Sequence, residues 1–321
     1  MTDEEAAARR ALTGFAIHAD TVTLAARSEN ITFKVSAGND AYSLRLHRPG
    51  YHTLEELDAE RVWTAALRAA GHPVPDAMTA PDGRSYVAVE VAGETRQAGL
   101  TRWTEGDVLE EIVETDAAPL GDRFFRLGEI AADFHAHSAL WRPPGGFTRH
   151  VLDADGLMGE APFWGPFWDH PRLTAPERAL TRRTQARLHA ALSRLPRDPE
   201  HFGMIHADLH QGNLLVNGQF MTVIDFDDAG FGWYLYDLAV ALTHQEDRPG
   251  FQKLQDALLR GYRSRRPLSE VDEARLPMFL LVRRLAILGW LHQRPDVDPG
   301  DRFFKLKATA LARCEAFMEP T

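Results

Sequence analysis

Cysteine is nearly absent from this 321-residue chain: Cys314 is the one copy, which excludes an internal disulfide, and no Cys/His grouping has zinc-finger spacing. Long apolar runs are missing too. Phe279 to Val282 is cut off by Arg283 and Arg284, and no stretch reaches the roughly 20 residues that a membrane-spanning helix needs. Positive charge is in deficit, with 36 Lys and Arg against 46 Asp and Glu, a formal net charge of −10. That balance disfavours a nucleic-acid or anionic-membrane partner held by bulk electrostatics. The opening MTDEEAAARRALTGF is acidic where a secretory leader is basic, and no apolar segment follows, so a cytoplasmic protein is expected. What remains, 44% hydrophobic and 26% charged residues, is enough to bury a sizeable core.

Residues 15–47 alternate in the β manner in IHADTVTLAA, ITFKV and YSLRL, separated by the turn-prone SEN and SAGND, and predict three antiparallel strands. LEELDAERVWTAALRAA, from Leu54 to Ala70, predicts a helix that puts Leu57, Val62, Ala65 and Ala69 near one face. YVAVEV and QAGLTRW add two strand candidates. Beyond TEGD strands nearly vanish, and helical periodicity covers 122–140, 174–195, 251–263, 270–292 and 302–318. The expected arrangement is α+β in two parts, a β-rich lobe over 1–103 and a larger, mainly helical lobe over 104–321.

One β signal interrupts the helical part. NLLV and FMTVID flank Asn217-Gly218, and Asn-Gly between apolar runs marks a hairpin. Taken as a two-residue turn, that pair sets Asn213 opposite Thr222 and leaves Asp225 about 10 Å further along its strand at about 3.3 Å per residue. Between Ile205 and Asp228 the chain thus gathers hard oxygen donors around a hairpin. Phosphoryl transfer needs such groups: carboxylate and amide oxygens for Mg²⁺, and a separate carboxylate that orients the attacking hydroxyl. Asp208, in the loop entering the hairpin, suits the latter role.

His206-Ala-Asp208-Leu-His-Gln-Gly-Asn213, Val223-Ile-Asp225-Phe226-Asp227 and Tyr236-Asp237-Leu238-Ala239 resemble the catalytic loop, the metal-binding D-x-D and the Y-D-L-A segment of the aminoglycoside phosphotransferase, choline kinase and homoserine kinase family. The likeness is nearest to its homoserine-kinase and stress-response-kinase branch. The resemblance implies a bilobal, protein-kinase-like fold using ATP and Mg²⁺. Carried over, Asp208 is the catalytic aspartate, while Asn213 and Asp225 hold the metal. Ser28, Glu29 and Asn30 occupy the turn over the phosphates. Arg45 contacts the α/β-phosphates, Glu60 orients Arg45, and Trp103, Thr104 and Glu105 border the adenine. Two departures stand out: Arg45 replaces the usual lysine, and the phosphate turn has no glycine-rich run.

The function expected is transfer of the γ-phosphoryl group of Mg-ATP to a hydroxyl of a small molecule, with amino alcohols, homoserine, sugars and aminoglycosides as candidates. A protein Ser/Thr acceptor is a second reading. A third is a nucleotide-binding pseudokinase, and a fourth is a metal-dependent hydrolase using His206, Asp208 and His210. Asp237 is expected to cap a helix N-terminus and His135 to pack in the core; Trp164, Trp168, Trp233 and Trp290 are expected in the core, with a substrate wall formed by the aromatics of 163–168 as the alternative.

Overall fold

An alanine-rich first helix, whose apolar stripe is too thin to register as a periodic signal, opens the chain. The computed structural model describes residues 2–27, 30–112, 117–295, 297 and 300–319. In chain order the first elements are α1 (Asp3–Gly14), β1 (Thr21–Arg27), β2 (Ile31–Ala37), β3 (Asp40–Leu46), α2 (Leu54–Ala69), β4 (Ala77–Met78), β5 (Tyr86–Val91), β6 (Glu94–Arg102) and β7 (Asp107–Val108). There follow α3 (Ala117–Leu140), β8 (Val151–Leu152), α4 (Ala154–Met158), α5 (Ala175–Leu192), β9 (Phe202–Ile205), β10 (Leu214–Asn217), β11 (Phe220–Val223) and β12 (Gly230–Trp233). The last are α6 (Tyr234–Thr243), α7 (Phe251–Arg263), α8 (Glu270–Glu273), α9 (Leu276–Gln293) and α10 (Arg302–Met318). The chain divides into two compact units: 1–112 with 143–149 and 211–227, and 113–142 with 150–210 and 228–321. The sequence division at 103/104 assigns the hairpin of residues 214–223 to the C-terminal part, whereas the packing groups it with the N-terminal one.

In the first unit β1, β2, β3, β6 and β4 form a sheet in that order, with β5 also paired to β6. Alternation sends Ile31, Phe33 and Val35 of β2 and Tyr42, Leu44 and Leu46 of β3 into a core. Ala7, Ala8 and Ala11 of α1 join that core at 0% exposure, their small side chains permitting close approach to the sheet. Arg45 points to the opposite face of β3. A Thr53–Glu56 capping box starts α2. Its buried stripe is Leu57, Glu60, Thr64 and Leu67 with Trp63, while Val62, Ala65 and Ala69 face outward, which corrects the face expected from apolar residues alone. The charged Glu60 occupies a core-facing position, and that is why counting hydrophobic residues misplaced the stripe.

The hairpin register differs from expectation. Asn217 pairs with Phe220 and Leu214 with Val223, so Gly218-Gln219, with Gly218 at φ +59°, makes the turn rather than Asn217-Gly218. The Ile224 amide then donates to the Asn213 carbonyl at 2.9 Å, and Asp225 follows directly. The gap of about 10 Å closes to neighbouring strand ends.

The second unit is helical around the short strands β8, β12 and β9. All ten residues of α6 are buried, which marks it as the central helix; its apolar run gave no helical period because no face is polar. Helices α3 and α7 cross through reciprocal glycines. A Cβ at Gly128 would lie 2.0 Å from the Leu258 carbonyl oxygen, and one at Gly261 would lie 1.9 Å from that of Phe125. Gly128→Ala and Gly261→Ala should each lower stability by about 2 to 3 kcal/mol in urea unfolding, since the clash is with backbone. A loss under about 0.5 kcal/mol would mean that the crossing yields freely. Among the described residues no helix is long and apolar enough to cross a membrane.

Candidate active site

In the second unit the loop after β9 is fastened from beneath by α6. Asp237 accepts from the His206 amide at 3.0 Å and the Ala207 amide at 2.7 Å. It therefore sits inside the helix, anchoring this loop, and is not the N-cap expected from sequence. Ala207 is held at φ +64°, a backbone region that a residue with a Cβ rarely adopts. Such strain persists only where neighbouring contacts over-determine it. The His206 ring turns inward, Nδ1 accepting from the Asp208 amide at 3.2 Å, and is fully buried. It is thus not presented as a metal ligand.

This geometry leaves the Asp208 carboxylate between two basic groups. Arg283 of α9 donates to Oδ1, and His210 Nε2 lies 3.2 Å from Oδ2. Burial alone would raise the Asp208 pKa, but the charges of His210 and Arg283 outweigh it and hold the carboxyl well below the usual range. Trp164 stacks on Tyr236 at 5.9 Å, and the Arg283 guanidinium lies 5.6 Å from the Trp164 ring. Trp164 and Trp168 are interior at 3% and 7% exposure, in line with the core placement expected of them and not with the alternative of a substrate wall.

In the first unit a separate polar cluster surrounds the hairpin end. Arg45 Nη1 donates to Asp225 Oδ1 at 2.8 Å and lies 3.9 Å from Asp227. Burial works against the charged guanidinium, yet Asp225, Asp227 and Glu60 together raise its pKa. Asp225 is the other site residue with left-handed backbone, at φ +64°. Asp227 accepts from Asn30 Nδ2 at 2.8 Å and lies 3.3 Å from His47 Nδ1, and its backbone carbonyl accepts from Arg149. Its burial is outweighed by His47, Arg45 and Asn30, which pull its pKa down. The chemistry of the donors Asn213 and Asp225, all hard oxygen at adjacent strand ends, fits a small divalent cation.

The other expected residues are placed as follows. Asn30 is 6% exposed and clamps Asp227 while accepting from the Arg48 amide at 2.9 Å. Ser28 and Glu29 lie outside the described residues. Glu60 is 7% exposed, and its Oε2 has no hydrogen-bond partner among the described residues; it acts on Arg45 through space rather than by a direct bond. Trp103 follows β6, its amide donating to Ala41 and its ring 4.3 Å from Lys34 Nζ. Thr104 is half-buried, and Glu105 is exposed with Lys34 at 3.7 Å. Sequence reasoning passed over Arg283, His47 and Arg149. For Arg283 the available signal was a charge interrupting an otherwise apolar helix.

His135 extends the anchor under the loop, its Nε2 3.1 Å from Asp237 and its Nδ1 3.0 Å from the Tyr262 hydroxyl. Complete burial lowers its pKa from 6.5. The unfolded chain therefore takes up a proton that buried His135 refuses, and stability should fall as pH drops below about 6.5. The urea midpoint is expected to decline between pH 7 and pH 5.5, and to decline less in His135→Gln; an unchanged slope in the variant would remove His135 from the account.

A β-rich unit carrying an arginine–aspartate cluster and a helical unit presenting an anchored aspartate together have the hallmarks of a kinase-like enzyme. Residues 20–275 match the phosphotransferase enzyme family, and the chain belongs to that family. It is an ATP-dependent phosphotransferase acting on a hydroxyl group. The structure of a microcompartment-associated aminopropanol kinase has a TM-score of 0.83 and 37% identity, covering 96% of this chain and 94% of that one. Amicoumacin kinase of Bacillus subtilis (strain 168) is 25% identical over 305 residues, 92% of this chain and 85% of the kinase. An amicoumacin kinase in complex with AMP-PNP, Ca²⁺ and Ami shares the fold, with a TM-score of 0.81 at 20% identity over 98% of this chain and 94% of that one.

Proposed function

We propose that the enzyme phosphorylates the hydroxyl of a small amino alcohol, with Asp208 orienting the acceptor. Arg45 takes the nucleotide phosphates, and Asn213 and Asp225 are the residues that would hold Mg²⁺. The observation that carries the reaction assignment is the Asp208 carboxylate on its anchored loop, held between Arg283 and His210. In the transfer, the acceptor oxygen bonds to the γ-phosphorus as the bond to the β,γ-bridging oxygen breaks and ADP leaves. A carboxylate with so low a pKa is a weak base, so Asp208 accepts the hydroxyl's hydrogen bond and fixes its direction of attack. The proton departs late, to the phosphoryl group or to solvent, as a loose transition state allows. Bound Mg²⁺ would supply charge neutralisation on the phosphates.

Residues 1–103 with the hairpin are proposed as the nucleotide-binding part and the helical unit as the acceptor part, with Trp103 to Glu105 bordering adenine. The choice of an amino alcohol rests on the aminopropanol kinase likeness, which spans nearly both chains.

The test is ADP release with Mg-ATP across a panel of aminopropanol, choline, homoserine, a hexose, an aminoglycoside and a mixed-protein acceptor. An amino alcohol is expected to lead in kcat/KM by at least ~10-fold. Turnover with protein alone, or none above background with any acceptor, would reject the proposal.

A further inference from the structure

We propose that Arg283 is a positioning residue for phosphoryl transfer, acting through Asp208 by fixing the plane of its carboxylate. This rests on the reading of Asp208 as the group that orients the acceptor.

The two oxygens of Asp208 are gripped from different sides, Oδ1 by the Arg283 guanidinium and Oδ2 by His210. Loss of either grip loosens rotation about the Cβ–Cγ bond and broadens the directions of the lone pairs that an acceptor hydroxyl must find. Arg283 itself has little freedom. It is 8% exposed, it emerges from a helix whose other faces are buried, and its guanidinium lies over Trp164, which in turn stacks on Tyr236. Close packing behind Trp164 holds that wall still, since a Cβ at Gly289 of the same helix would come within 2.8 Å of the Trp164 carbonyl oxygen.

The neighbouring Arg284 makes the contrast. It pairs with Glu246 and Asp247, acidic partners that have no part in the catalytic loop. One helix thus carries two buried arginines, one knitting helices together and one aimed at the reactive carboxylate. Arg283 Nε has no hydrogen-bond partner among the described residues, and the ion pair that its guanidinium makes is with Asp208, beside Tyr236. A guanidinium nitrogen held in a rigid plane and donating to Oδ1 constrains orientation in a way that the point charge of a lysine cannot fully reproduce.

A solely structural ion pair would affect melting and leave turnover alone, so the test separates the two. Wild-type turnover with the best acceptor is measured first; its absence would overturn both this inference and the reading of Asp208. With turnover established, Arg283→Met should lower kcat by ~10- to 100-fold, because small misplacement of a positioned group is that expensive. KM for ATP and the Mg-ATP melting shift should stay within about twofold of wild type. Arg283→Lys should recover part of the lost kcat. In an Asp208→Asn background Arg283→Met should cause no further loss, because the residue acts through that carboxylate. Wild-type kcat in a folded Arg283→Met protein, or a full additional loss in the double variant, overturns the inference while leaving Asp208 in its role. If Arg283→Met does not fold, the lysine variant decides: a kcat loss with unchanged KM for ATP supports positioning, and unchanged kcat refutes it.

Discussion

Asp208→Asn is expected to reduce kcat by at least ~10²-fold while KM for ATP moves less than about twofold. The effect is large because the carboxylate is proposed to act on the acceptor at the moment of transfer, not on the nucleotide. Its carboxylate is held by Arg283 and His210, two groups to which neither phosphate nor metal is assigned. Asparagine is preferred to alanine for kinetics. Both changes remove the charge that faces buried Arg283, but asparagine keeps an amide oxygen to accept its hydrogen bond, whereas alanine leaves that donor without this acceptor and should also lower the melting temperature by a few degrees. Asp208→Ala is therefore expected to show both losses, and Asp208→Asn chiefly the kinetic one. If Asp208→Asn loses nucleotide binding as severely as turnover, the separation of roles proposed for Asp208 and Asp225 is wrong.

The second large effect is expected at Asp225. For wild type, saturating Mg-ATP should raise the melting temperature by several degrees, since a ligand at 100 times its Kd stabilises by about 2.7 kcal/mol. Neither ATP nor Mg²⁺ alone should achieve this. In Asp225→Ala the combined shift should vanish, because the carboxylate proposed to hold the metal is gone. Retention of the full shift would move the metal to other residues, with Asp227 the first to examine. A shift with Zn²⁺ or Mn²⁺ alone and none with Mg-ATP would instead revive the hydrolase reading.

Much of this was legible in the chain. Period-two alternation and turn residues placed β1, β2, β3, β5 and β6, with bounds off by up to four residues, and the spacing from His206 to Asn213 with Asp225 pointed to the family. What escaped has physical causes. Helix α1 buries alanines, whose hydrophobic signal is faint, and α6 is apolar all round and so has no period. Proline and a short turn divide the expected 270–292 helix into α8 and α9. Asn-Gly was a sound marker for a hairpin but not for its register, since either residue can sit at the strand end. The partners of the site are harder still. Arg283 is separated from Asp208 by 75 residues and Asn30 from Asp227 by 197, and no local pattern encodes such pairings.

The bond between Arg45 and Asp225 sets the cation proposed for phosphate against the anion proposed for metal, so that each partly satisfies the other. Phosphate can claim Arg45 only if Asp225 finds a substitute cation, and a metal can claim Asp225 only if Arg45 finds a substitute anion. Each ligand presented singly would strand one of the two in a half-buried site. With the roles proposed for them, the pair would act as a mutual lock, making nucleotide and metal binding cooperative through an exchange of partners. Replacing Asp225 would open half of the lock, so the same variant that loses Mg-ATP stabilisation should bind metal-free ATP no worse than wild type, and by this reasoning better.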